Sequence, residues 1–265
     1  MAILGSLLCP LSVLLATPGP TPVPAQSGRI EQITEQIANP QPPTPVWLVV
    51  LTGILALLFA SSVFVVDWLI AATHEGAHAM AASTMGELKG VTLATRRSGK
   101  PHLTTVAYSD TSAALFGLFV GYLGPSLFGL AGAFLLSRDH VVATLWLAIV
   151  LLAALLWSIR NLFGGIVALL LGGFLLVVAC SEAPAVQTVV AYLLVWSLLW
   201  RGIHYVLGAG SKAARERDRK NKKAKKTVSE HQALRDKTAV PRFLWVFFHL
   251  VLGVAALYLG AKLML

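Results

Sequence analysis

Charge is what this chain has least of. Only 12% of its 265 residues are charged, against 56% hydrophobic, where a soluble domain carries roughly 25% charged residues. That excludes an ordinary soluble globular protein and places the chain among polytopic membrane proteins. Cysteine is scarcer still. Cys9 and Cys180 are the only two, so there is no disulfide framework and no close-spaced Cys metal pair. Both read as apolar fillers. Acidic residues are thin as well, and none occurs from Val141 through Ser181. A metal transporter would want several acids or histidines on facing membrane helices, and outside one short motif the chain offers too few.

The charge that is present is concentrated. Of the net +9, a balance of +7 falls between Ser211 and Lys226, where Lys212, Arg215, Arg217, Arg219, Lys220 and others run to Lys226 against Glu216 and Asp218. The rest of the chain is left with +2. A basic segment between apolar spans marks the cytoplasmic face. It reads as a solvated charge run in a cytoplasmic loop over 209–240, with attraction to anionic lipid head groups at 211–226. No aromatic or glycine pattern accompanies it, so nucleic acid is not expected as a partner.

Residues 1–45 form an N-terminal tail. Residues 1–16 are apolar but contain Pro10 and lack a basic start, a weak signal-anchor at best. Pro18, Pro20, Pro22, Pro24, Pro40, Pro42, Pro43 and Pro45 favour a flexible extended chain, with a short helical turn possible around Arg29 to Ile37. The membrane domain, 46–265, opens with a span from Val46 to Val66 and a second helix from Asp67 to Met85. Together they are about twice the length of one crossing, so a break near Ser62 to Asp67 is expected; one long kinked helix is the alternative. Val91 to Thr95 and Leu103 to Tyr108 have strand composition and flank Ser98-Gly99-Lys100-Pro101, which reads as a β-hairpin. Apolar stretches follow at 112–136, 141–158, 161–180, 184–207 and 241–264. Asp110 and Asp139 stand where they would cap helix starts. The expected fold is an all-α polytopic membrane protein of six or seven transmembrane helices, with a small β-hairpin after the second. Alternation puts Lys89, Arg96, Arg97 and Lys100 on the same face as the basic loop, so the two basic regions agree.

The second helix carries His74-Glu75-Gly76-Ala77-His78. Two histidines four residues apart are separated by about 40° around a helix, so both can bind one metal ion, and the intervening glutamate can act as general base on an activated water. The motif lies about 10 to 18 Å from the cytoplasmic end of its helix, inside the bilayer, where ionisable groups are costly and mark function. Metal binding and proteolysis are the reading; a histidine pair bonded to neighbouring helices, or a metal site without proteolysis, are the alternatives. A catalytic zinc needs a third protein ligand. Asn161 and His204 are candidates, while Glu230 and His231 qualify only if the basic loop folds back onto the helix.

The motif, the hairpin, Gly121-Tyr122-Leu123-Gly124-Pro125, Arg160-Asn161-Leu162-Phe163-Gly164 and the late Thr238-Ala239-Val240-Pro241 together resemble the site-2 protease family, and more closely a bacterial branch common in actinobacteria. The resemblance runs from about residue 46 to the C-terminus. It implies that His74 and His78 ligate Zn2+ and that Glu75 activates water. The substrates would be membrane-anchored proteins of the bacterial plasma membrane, cut in or near a transmembrane segment. Where that branch often has a Ser-Asp pair, this chain has Ser229-Glu230-His231. The alternative is a non-catalytic membrane scaffold or pseudoprotease with a partial metal site. Gly117 and Gly121 read as a packing face; Pro125 leaves the Gly121 carbonyl without its helical donor. An exposed edge of the hairpin could hold an unwound substrate by strand addition.

Overall fold

The structure is a computed structural model that describes residues 23–59, 64–92, 103–108, 110–223 and 229–265. In chain order its elements are α1 (Val23–Ala38), α2 (Val46–Phe59), α3 (Phe64–Met85), β1 (Gly86–Thr92), β2 (Leu103–Tyr108), α4 (Thr111–Leu136), α5 (Val141–Ser158), α6 (Leu162–Ala179), α7 (Pro184–Gly210), α8 (Lys212–Lys223), α9 (Glu230–Thr238) and α10 (Arg242–Met264). The expected signal-anchor at 1–16, the residues Ser61-Ser62 and the turn at 96–102 lie outside the described residues.

Helices α4, α5, α6, α7 and α10 are long and apolar enough to cross a membrane. Their ends fall within three residues of the apolar stretches read from the sequence. The remaining two expected spans are different. Helix α2 is described over 14 residues, about 21 Å at 1.5 Å per residue, and residues 60–63 beyond it lie outside the described residues. Helix α3 has 22 residues but carries Asp67, His74, Glu75 and His78. Among the described residues five helices satisfy both length and composition, and the expected break between Ser62 and Asp67 falls partly outside those residues. Large apolar side chains such as Phe134, Val150, Trp157, Phe174, Phe247 and Val251 are exposed on the outside of the spans. Water would not tolerate so large an apolar surface; lipid does.

Inside, Leu, Val and Ala side chains with Trp196 and Tyr192 make the core, and glycines and polar groups set particular close approaches. Gly124 shows why α4 approaches the motif helix so closely: an added Cβ would stand 2.6 Å from the Thr73 carbonyl and 2.7 Å from Ala77 Cβ. Trp196 of α7 donates its indole N–H to the Val49 carbonyl of α2 at 3.1 Å. Arg201 of α7 pairs with Asp67 in the first turn of α3, tying the motif helix to the bundle through a half-buried ion pair.

Two ends of the bundle can be distinguished. At one, the Gln41 N–H donates to the Asp139 carbonyl at 2.8 Å, and Gln41 Oε1 accepts from the Val142 N–H at 3.2 Å. Gln41 thus does the capping expected of Asp139, which sits in the turn with a φ of 59°. Asp110 does cap α4, accepting from the Ala113 N–H at 2.8 Å. The prolines before residue 46 do not keep that segment extended throughout. Pro24 falls in the first turn of α1, where proline is tolerated, and Pro40 follows its end.

At the other end, β1 begins directly where α3 stops and pairs antiparallel with β2 from Gly86–Tyr108 to Thr92–Leu103. The outer edge of β1 is not wholly free. Val91 also bridges Ile159, and the Arg160 N–H donates to the Val91 carbonyl at 2.8 Å. The expected basic loop is here as well, but it is two helices. Asp218 of α8 is buried, accepts from the Ser229 N–H at 2.9 Å and the Ser229 hydroxyl at 2.6 Å, and pairs with Arg242 at 2.7 Å. One carboxylate thereby fixes α8, the start of α9 and the start of α10 together.

Candidate metal centre

Helix periodicity turns His74 and His78 of α3 to the same side, and both are buried. Their Nε2 atoms do not face solvent or lipid. They converge on a single carboxylate oxygen, Glu230 Oε1, at 2.9 Å and 2.8 Å. Glu230 is the first residue of α9, directly after the Ser229 that Asp218 holds. Of the four candidate third ligands, the structure brings this one to the histidines. His231 is buried beside it, its ring against Tyr122 and His249 at centroid distances of 4.1 Å and 4.9 Å. His204 is exposed on α7, its Nδ1 at 3.1 Å from the Trp200 carbonyl of the same helix. Asn161 opens α6 at the joint beside Arg160. Neither joins the cluster of His74, His78 and Glu230, whose ligand atoms all lie within 4.8 Å of one another.

The donor set suits a divalent metal. Two imidazole nitrogens and one carboxylate oxygen are the ligand types of a three-ligand catalytic zinc site, which keeps a fourth position open. Glu230 Oε2 is buried with no hydrogen-bond partner among the described residues, a cost that coordination would relieve. Space is kept for this group by Gly121 of α4. A Cβ there would fall 2.3 Å from His78 Nε2 and 3.0 Å from Glu230 Oε2. Gly121, which the sequence offered as a packing residue, borders the centre instead. The carbonyl of the same residue, deprived of its helical donor by Pro125, bears on the His74 ring, although His74 Nδ1 makes no hydrogen bond of good geometry.

The carboxyl of Glu230 responds to the two histidines it faces. Burial opposes its ionisation, but the facing His74 and His78 outweigh burial and hold its carboxyl well below the usual carboxylate range. His231 goes the other way: burial, helped by His249, pushes it down to about 3 and keeps it neutral. Glu75 is buried, 3% exposed, on the same helix. Tyr122 and Tyr205 stand edge-on to His74, each at a centroid distance of 5.1 Å, and close the site with aromatic walls. The sequence signalled Tyr122 only through its place in the Gly-Tyr-Leu-Gly-Pro run; nothing in it pointed to Tyr205.

A His-Glu-x-x-His helix packed within apolar spans, completed by a carboxylate from a folded-back segment, defines a class: the membrane-embedded metallopeptidases. The chain belongs to the Peptidase M50B-like family, whose family model matches residues 47–260. No curated protein and no solved structure matches it.

Proposed function

We propose that this protein is a zinc-dependent endopeptidase that hydrolyses peptide bonds of membrane-anchored proteins within or beside the bilayer. The observation that carries the reading is the convergence of His74 Nε2 and His78 Nε2 on one oxygen of Glu230, with Glu75 next in sequence to the first histidine. Zinc at that point would act as a Lewis acid on the scissile carbonyl and lower the pKa of a water. His74 and His78 hold it through neutral imidazoles and Glu230 through an ionised carboxylate, the protonation states that metal ligation requires. Glu75 takes the proton of the attacking water and returns it to the leaving amine. The walls of Tyr122 and Tyr205 restrict water, which strengthens each charge interaction inside.

A substrate helix must unwind before its carbonyl can be attacked, because its own hydrogen bonds shield the backbone. The β1–β2 hairpin would hold such an unwound segment by strand addition. The test is metal analysis of the purified protein together with cleavage of a single-span substrate. Zinc near one per chain is expected, with Glu75→Gln retaining zinc while cleavage falls by about 10²- to 10⁴-fold. Zinc missing from the intact wild-type protein, or cleavage indifferent to Glu75→Gln, would favour a non-catalytic scaffold instead.

A further inference from the structure

Helix α8 has two faces with different tasks. At about 100° per residue, Lys212, Arg215, Arg219, Lys220, Lys222 and Lys223 fall within an arc of about 160°, Arg217 lies about 60° beyond it, and all seven are exposed. The opposite side carries Ala214 and Asp218, the only buried residues of the helix. Among the described residues the cationic face is answered only at its surface, by Glu216 beside Arg219 and Lys220 and by Asp236 beside Lys222. The buried face is the one that grips Ser229, next to Glu230. Helix α8 also starts two residues after α7 ends, so it lies at the end of a membrane span, within reach of lipid head groups.

We infer that the cationic face of α8 docks on anionic phospholipid head groups, and that this docking seats Glu230 in the metal centre through Asp218 and Ser229. The inference rests on the metal-centre reading above. The charge complementarity is with the bilayer already present: basic residues beside a span are drawn to an anionic leaflet over a Debye length. A helix held by its cations keeps its other face turned to the bundle, which is where Asp218 must lie to hold Ser229. Head-group charge thereby becomes a determinant of metal affinity.

The test uses the full-length protein in nanodiscs of phosphatidylcholine alone or mixed with phosphatidylglycerol. Zinc affinity is read by chelator competition, and hydrogen exchange of residues 230–238 is read without metal. A His74→Ala/His78→Ala variant in the same discs subtracts zinc held by the lipid itself. Anionic discs are expected to raise zinc affinity about tenfold and to slow exchange in α9. Both effects should vanish at high salt, and in a variant with Lys212, Arg215, Arg219, Lys220 and Lys223 changed to Gln. Lys222 is spared in that variant because it pairs with Asp236. Equal affinity and exchange in the two discs, or a lipid effect that survives in the charge variant, would overturn the inference while leaving the metal centre intact. Protection of α8 by a short oligonucleotide but not by anionic lipid would also overturn it. Zinc binding absent in every disc would sink the metal-centre reading, and this inference with it.

Discussion

His78 Nε2 and Glu230 Oε1 stand 2.8 Å apart although 152 positions of sequence separate them. The His-Glu-x-x-His motif of α3 thus offers only two of the three candidate ligands, and the third comes from the segment between the last two spans. Replacing Glu230 with Gln keeps the shape and removes the charge, so zinc affinity should fall about 100-fold or more. Glu230→Asp should lose less. Chelator competition on the purified variants measures both, and unchanged affinity in Glu230→Gln would remove Glu230 from the ligand set.

Gly121 offers a sharper steric test. Because an added Cβ would lie 2.3 Å from His78 Nε2, Gly121→Ala should displace the histidine or the carboxylate and lower zinc occupancy. Gly172→Ala, at a site with nothing within 4 Å of the added carbon, is the matched control and should bind zinc as the wild type does. Equal zinc content in the two variants would contradict the packing described for α4.

The pairing of Asp218 with Arg242 at 2.7 Å is buried on both sides. Breaking such a pair from one side costs about 3 to 5 kcal/mol. Asp218→Ala should therefore release α9, with faster hydrogen exchange over residues 230–238 and weaker zinc binding, while the spans stay folded. Exchange in α9 that matches the wild type would show that Ser229 and Glu230 are held by something else.

Arg201 and Asp67 join α7 to the motif helix. Arg201→Met leaves the carboxylate without its guanidinium, and a loss of about 2 kcal/mol is expected. Asp67→Asn added to the same chain should recover most of it. Thermal unfolding in detergent compares the three variants, and a double variant no more stable than Arg201→Met alone would mean that charge is not the reason.

Much of this was legible before any coordinates. The five apolar stretches from 112 onward became α4, α5, α6, α7 and α10 with small end shifts, because a run long enough to span lipid leaves the backbone no alternative to a helix. The second strand of the hairpin was legible from its β-branched residues, but the first, expected over Val91 to Thr95, starts five residues earlier at Gly86, and 93–95 lie outside the described residues. The helix of residues 23–38 was legible only as a short turn around Arg29 to Ile37, because the flanking prolines argued for an extended chain. The helical state of the basic segment was not legible, since charge repulsion reads as a loop until Asp218 is seen neutralising Arg242 and binding Ser229.

The sequence by itself determined that this is a membrane protein with a two-histidine metal motif on one helix, because hydrophobic length and a four-residue spacing are local properties. Which residue completes the centre was decided by tertiary structure alone. Asn161 and His204 were open candidates in the sequence, while Glu230 and His231 qualified only if the basic loop folded back. Their separation into one facing the histidines, one walled in by Tyr122 and His249, and two elsewhere depends on how a buried carboxylate at residue 218 folds a charged segment back against the bundle.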